Sequence, residues 1–282
     1  MKVISICNQK GGVGKTTTAI NLSAYLAQKG FKVLLIDIDP QSNATSGISI
    51  EGERPPNNIY HVLLEQALLD EIIIPTKINK LYVAPASPQL AGARIELISS
   101  FGREQKLKKA LEATTQNFDF VFIDCPPSIG VLTVNALTAS HSTLVPLQCE
   151  YYAMEGLGQL LSTIELVQKN LNPALVIEGV VLTMADSRTR LTNEVINEAK
   201  KVLKHKVYNT IIPRSVRLSE APGYGEPIMN YDKNSQGALA YEQLADEFIR
   251  HNSNDSNVLQ HNKSDTQPEE PQAAGAQTDI IA

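Results

Sequence analysis

Apolar positions along the chain follow two alternating rhythms. Short, nearly unbroken apolar runs occur at residues 3–7, 33–39, 81–84, 119–124, 142–147 and 176–184. Between them lie stretches whose apolar residues recur at helical spacing, at 19–27, 59–69, 105–114, 154–168, 194–203 and 236–250. A run that is apolar at every position reads as a strand buried on both faces, which is the parallel-sheet pattern. Strands alternating with helices predict one α/β domain: a mostly parallel sheet with helices on both faces. Gly30, Pro40, Pro85 and Pro126-Pro127 punctuate the elements, because glycine and proline end regular structure. Residues 47–80 are less regular, and Ile211-Ile212-Pro213-Arg214 follows the helix at 194–203. From His251 onward the sequence turns to Asn, Ser, Gln, Pro and Ala. Too little apolar surface remains there to offset ordering entropy, so residues 1–250 are expected to form the domain and 251–282 a disordered acidic, polar tail.

Bulk properties narrow the classes further. A chain of 282 residues, 43% apolar, can bury one sizeable core. No apolar run approaches the ~18 residues of a spanning helix, and no leader-like segment opens the sequence. A cytoplasmic protein is therefore expected. Cys7, Cys125 and Cys149 are odd in number and make no C-x-x-C, which reads as buried thiols in a reducing cytosol rather than a disulfide or metal framework. The net charge of −5 is concentrated in the tail, where Asp255, Asp265, Glu269, Glu270 and Asp279 oppose Lys263. The first 250 residues are close to neutral, so overall acidity does not argue against a local basic face.

The chemistry starts at Asn8–Thr17, N-Q-K-G-G-V-G-K-T-T, set between the first strand and the first helix. Strand, glycine-rich turn, helix is the setting of a phosphate-binding loop. Gly11, Gly12 and Gly14 let the backbone curl, and the amides of Val13 and its neighbours point at one anion, backed by the positive end of the helix. Lys15 brings a charge to the β- and γ-phosphates, the Thr16 hydroxyl suits Mg²⁺, and Thr17 is placed to donate to the α-phosphate. Gln9 stands where the strict motif has its first glycine, and Lys10 is an additional lysine at the mouth of the loop. Lys10 points outward, toward a nucleotide held by a second copy. The run at 33–39 ends in Asp37 and Asp39, and that at 119–124 ends in Asp124 before Cys125-Pro126-Pro127. Ligands of such sheets sit at the carboxyl ends of strands. Asp39, at the strand exit, is the expected catalytic member, Asp37 the support beneath, and Asp124 a Walker B carboxylate for Mg²⁺.

These segments resemble the deviant Walker A (SIMIBI-type) P-loop ATPases of the ParA/Soj/MinD group, and most of all short chromosomal ParA. The resemblance spans residues 1–250, and no helix-turn-helix segment precedes the loop as it does in longer plasmid-type relatives. It implies ATP as ligand, with Lys10 contacting the nucleotide across an ATP-sandwich homodimer. Asp39 in D-I-D-P-Q matches switch I, where it helps position the attacking water, and Thr16, Asp39 and Asp124 form the implied Mg²⁺ set. D-C-P-P matches switch II. Glu150 in E-Y-Y-A-M-E-G-L either contacts the ribose across the dimer or caps the following helix. Met184 and Pro213 are implied walls of the adenine pocket.

Arg188 in A-D-S-R and Arg217 in S-V-R-L-S-E-A-P match positions used for sequence-independent DNA binding. Lys200, Lys201 and Lys204 lie between them in sequence. No element suited to reading bases is recognisable, so backbone contact with double-stranded DNA is the expected mode. The implied activity is Mg²⁺-dependent ATP hydrolysis, weak alone and stimulated by a ParB-like centromere-binding partner, in chromosome or plasmid partitioning on the nucleoid. Three other readings are weighed against it. A MinD-like division-site regulator needs a lysine-faced amphipathic helix at the C-terminus, and the tail carries one lysine, so no membrane partner is expected. A nitrogenase-type iron protein needs cysteines converging on a cluster. A DNA-binding scaffold without turnover is separated by an ATPase assay.

Overall fold

A computed structural model describes residues 1–264 apart from 152 and 187, and only the backbone at 205 and 254–264. It falls into two units, Met1–Glu247 and Phe248–Ala282. The strands of the first unit are β1 (Lys2–Ile6), β2 (Val33–Asp37), β3 (Ile74–Pro75), β4 (Leu81–Ala84), β5 (Phe120–Asp124), β6 (Ser142–Gln148), β7 (Val176–Ala185) and β8 (Val207–Pro213). They form one sheet in the order β3-β4-β2-β5-β1-β6-β7-β8. Every pairing is parallel except β3 with β4 at the edge. The expected architecture is the one observed.

The helices are α1 (Lys15–Gln28), α2 (Asn43–Ser46), α3 (Ile59–Leu63), α4 (Leu69–Ile72), α5 (Leu90–Glu96), α6 (Lys106–Ala113), α7 (Val131–Ala139), α8 (Ala153–Asn170), α9 (Arg190–Leu203), α10 (Val216–Glu220), α11 (Ile228–Tyr231) and α12 (Gln236–Ser264). Alternate side chains of each central strand point to opposite faces. Leu34, Ile36, Val121, Ile123, Val145 and Leu147 join one core with α3 and α5–α9. Leu35, Phe122 and Leu144 are equally buried on the other face, where α1 packs along β2 and β5. Burial on both faces is what made these runs continuous in the sequence. All three cysteines are free and buried, as expected.

Four local readings differ from the fold. The helix expected at 59–69 is two short pieces, α3 and α4, parted by Glu65 at φ 60°, a left-handed conformation that interrupts a helix. Helix α7, V-L-T-V-N-A-L-T-A, has no amphipathic stripe because six of its nine residues are buried, so periodicity did not reveal it. Strand β8 begins at Val207, four residues before the expected apolar fragment, because Asn209 and Thr210 break its apolar run. The last helix does not stop at Arg250: α12 runs to Ser264. No Gly or Pro occurs between Gly237 and Pro268 to end its ladder. The rest of the expected disordered tail, 265–282, lies outside the described residues. Among the described residues no helix is long and apolar enough to cross a membrane.

Candidate active site

The loop between β1 and α1 sits at the carboxyl edge of the sheet. Gly12 (φ 72°) and Gly14 (φ 86°) adopt left-handed conformations that cost an L-residue roughly 1–2 kcal/mol each. Gly14 starts α1 without a side-chain cap, so the first-turn amides of the helix face the loop, an arrangement suited to an anion. Two distant segments brace the loop. Thr183 on β7 donates its hydroxyl to the Val13 carbonyl at 2.8 Å. Asn8 donates to the Pro146 carbonyl at 2.7 Å and accepts the Lys10 amide at 3.0 Å. The Lys15 side chain is buried and folds back so that Nζ donates to the Lys10 carbonyl at 3.1 Å. Burial lowers its pKa, while the charges of Asp124, Cys125 and Asp39 pull the other way.

Strand order brings three carboxylates to this loop. Asp124 is paired in register with Ile6 of β1 on one side and Asp37 of β2 on the other. Asp37 is fully buried and engaged: it accepts the Asp39 amide (3.0 Å), the Thr45 amide (2.8 Å) and the Thr45 hydroxyl (2.7 Å). Burial pushes its pKa up to about 6 despite those bonds. Asp39 is 6% exposed and accepts the Gln41 amide at 2.9 Å. Asp124 differs from both. It is wholly buried, yet among the described residues neither of its oxygens makes a hydrogen bond of ordinary geometry. Burial, then the Asp37 charge, raises its pKa well above the usual carboxylate range, with the Thr16 hydroxyl and Lys15 opposing. An unpartnered buried carboxylate is costly. With the half-buried Thr16 nearby, it offers the oxygen a hard divalent cation takes, although among the described residues no three acidic, histidine or cysteine side chains cluster to hold an ion by themselves.

A cavity of about 240 Å³ opens next to the loop. Gly14 and Thr17 line it together with Met184 and Pro213, the two expected walls, and Thr183, Ile212, Leu218 and Tyr241 contribute as well. Sequence reasoning missed those four. Thr45, which anchors Asp37, was missed as well, because nothing local marks a threonine as a carboxylate's partner.

Lys10 is held within its own chain. Its Nζ lies 3.1 Å from Glu150 Oε2, and Glu150 Oε1 takes Arg214 at 3.2 Å and the Gln148 amide at 2.6 Å. Lys10 thus projects from the loop as expected, but toward Glu150. Of the two arginines expected at DNA, Arg188 lies in the loop after β7 and Arg217 in α10 after β8, neighbouring segments because Ala185 and Pro213 are paired at the strand ends. Neither is bare. Arg188 grips Asp186 with two bonds, 2.9 and 2.7 Å, which holds that carboxyl down to about 2. Arg217 pairs with Glu220 at 3.1 Å and Asp232 at 3.4 Å. Gly11, Gly12 and Arg188 are exposed, as an approaching ligand requires.

Comparison with known proteins places this geometry. A family model described as an AAA domain matches residues 1–177. The chain is 58% identical to the sporulation initiation inhibitor protein Soj of Bacillus subtilis (strain 168) over 246 residues, 87% of this chain and 97% of that protein. It is 48% identical to the chromosome-partitioning ATPase Soj of Treponema pallidum (strain Nichols) over 248 residues, 88% of this chain and 97% of that one. Among solved structures, a cobyrinic acid a,c-diamide synthase of Mycobacterium smegmatis, with bound ATP analog and magnesium, superposes with a TM-score of 0.76 at 38% identity. That match covers 89% of this chain and 95% of the other. The loop, the carboxylates behind it and these relatives together show that the chain belongs to the ParA/Soj family of chromosome-partitioning ATPases.

Proposed function

We propose that ATP with Mg²⁺ binds in the loop of each chain and that two loaded chains pair face to face, each Lys10 reaching the other's nucleotide. The dimer binds double-stranded DNA through its backbone, irrespective of sequence. A ParB-like partner stimulates hydrolysis and so releases it, which moves chromosome or plasmid centromere complexes over the nucleoid. The observation that carries this reading is the Asp124 carboxylate, buried without an ordinary hydrogen bond among the described residues, beside a helix start that has no side-chain cap and a buried Lys15.

In this reading the backbone of Gly11, Gly12, Val13 and Gly14 cradles the phosphates, Lys15 turns from the Lys10 carbonyl to the β- and γ-phosphates, and Thr17 holds the α-phosphate. Thr16, Asp39 and Asp124 hold Mg²⁺, which when bound offsets charge on the phosphates. Asp39 also orients the attacking water, its own turn fixed by the Asp37 bond to its amide. Met184 and Pro213 enclose the adenine. Glu150, with its Lys10 and Arg214 contacts, stands where the second chain's ribose would arrive. Arg188 and Arg217 meet DNA phosphates by exchanging their intrachain carboxylates for them.

Lys10→Ala tests the pairing. The variant keeps Lys15 and the loop amides, so it retains ATP binding as a monomer. It loses ATP-driven dimerisation, and with it DNA retention and partner-stimulated hydrolysis. Light scattering with ATP decides the matter: a variant that dimerises as the native chain does ends this reading.

A further inference from the structure

Two thiols lie in contact directly beneath the loop. Cys7 is the residue after β1 and the last before the loop at Asn8, and Cys125 follows Asp124 at the end of β5. Their sulfurs are 3.0 Å apart, and both residues are fully buried. The ladder explains the meeting. Ile6 and Asp124 are paired in parallel register, and the Cys125 amide donates to the Ile6 carbonyl at 3.3 Å, so Cys7 and Cys125 stand side by side one residue further on. Neighbouring parallel strands hold such residues ~4.8 Å apart, inside the window of roughly 4.4–6.8 Å that a disulfide needs between Cα atoms. Closing from contact to the bonded distance of about 2.05 Å is a movement of about 1 Å.

We propose that Cys7 and Cys125 form a reversible oxidative modification site, a disulfide made by a peroxide-class oxidant, that fastens the D-C-P-P segment to the base of the phosphate loop. One sulfur attacks a peroxide oxygen, the O–O bond breaks, and water leaves behind a sulfenic acid. The second sulfur displaces that hydroxyl, forming the S–S bond and a second water. Two thiols and one peroxide thus give one disulfide and two waters, the sulfurs together losing the two electrons that the peroxide gains. A dithiol returns the pair by exchange. Such bonds in reducing compartments are transient and redox-sensing. Both residues are fully buried, so the oxidant is one near the size of water, such as hydrogen peroxide. The third cysteine, Cys149, has no sulfur partner among the described residues. Fastening matters because the two joined segments carry Asp124 on one side and the loop on the other, and a turnover cycle needs them to move separately.

The bond stands apart from the nucleotide reading, and only its effect on turnover rests on that reading, so the two are measured separately. The native chain is treated with hydrogen peroxide without nucleotide, then digested without reductant. The expected product is a Cys7–Cys125 linked peptide, lighter by two hydrogen atoms than its parts and absent after dithiothreitol, with Cys149 unchanged. Hydrogen exchange across residues 125–130 slows in the oxidised chain and recovers on reduction. ATP turnover, where present, is mostly lost on oxidation and restored with it. Cys7→Ala and Cys125→Ala, each compared with its own untreated sample, lose that sensitivity. No linked peptide, oxidation at Cys149 or between chains instead, or a linked chain with unchanged exchange across 125–130, would overturn the proposal.

Discussion

Replacing Glu150 by Gln isolates the contact that restrains Lys10. In the single chain Lys10 Nζ and Glu150 Oε2 are 3.1 Å apart with side chains 34% and 42% exposed. An ion pair that open to water contributes roughly 0.2–1 kcal/mol. If Lys10 must leave Glu150 to reach a partner's nucleotide, that contribution is lost once in each chain, about 0.4–2 kcal/mol per dimer. Glu150→Gln removes the charge but keeps an oxygen able to accept from a ribose hydroxyl. Arg214 is also released, which changes charge near the site but not the sign of the Lys10 effect. The dimer formed with ATP should therefore tighten by about 2- to 30-fold, taking 1.4 kcal/mol per factor of ten. The gain should shrink as salt rises and screens the native pair. Sedimentation of the ATP-bound chain over a concentration series measures it. Unchanged or weaker dimerisation at low salt would refute the reasoning and leave Glu150 as a group the dimer needs charged.

Three further outcomes are expected. Lys15→Ala should lose ATP binding by titration calorimetry, because the buried ammonium that now rests on the Lys10 carbonyl is the charge available to the phosphates. Arg217→Glu should lower the salt slope of DNA binding by up to about 1.8 per dimer, one phosphate per arginine. The loss will be smaller to the extent that Glu220 and Asp232 retain the arginine. The third outcome concerns pH. The folded pKa of Asp37, raised to about 6 by burial, lies above its unfolded value near ~3.9. Its contribution to stability is thus fully present below pH ~4 and lost as pH rises through about 6. Relative to Asp37→Asn, the native chain should lose on the order of 2–3 kcal/mol between those limits in urea titrations. A difference independent of pH would show that Asp37 titrates normally.

The sequence by itself determined what depends on neighbouring residues. The loop at 10–17 was legible because its glycines, Lys15 and Thr16 are contiguous and sit between a strand and a helix. The parallel sheet was legible because strands such as β2 and β5, buried on both faces, have no polar alternation to disguise them. Where a segment lacks such a period, as in α7, six of whose nine residues are buried, or at Asn209-Thr210 within β8, the pattern gave no signal. Tertiary structure decided what depends on strand order. Nothing near residue 124 says that Asp124 stands buried between Ile6 and Asp37, and only the β2-β5-β1 order makes it so. Lys10 meets Glu150 140 residues away, and Gly14 and Thr17 share a cavity with Met184 and Pro213. The carboxylates on the two arginines are mostly local instead: Asp186 is two residues from Arg188 and Glu220 three from Arg217, and only Asp232 is brought from further along the chain. The physical reason is common to the first three. Hydrophobic period and backbone propensity act over a few residues, whereas burial and charge pairing follow from which strands lie side by side.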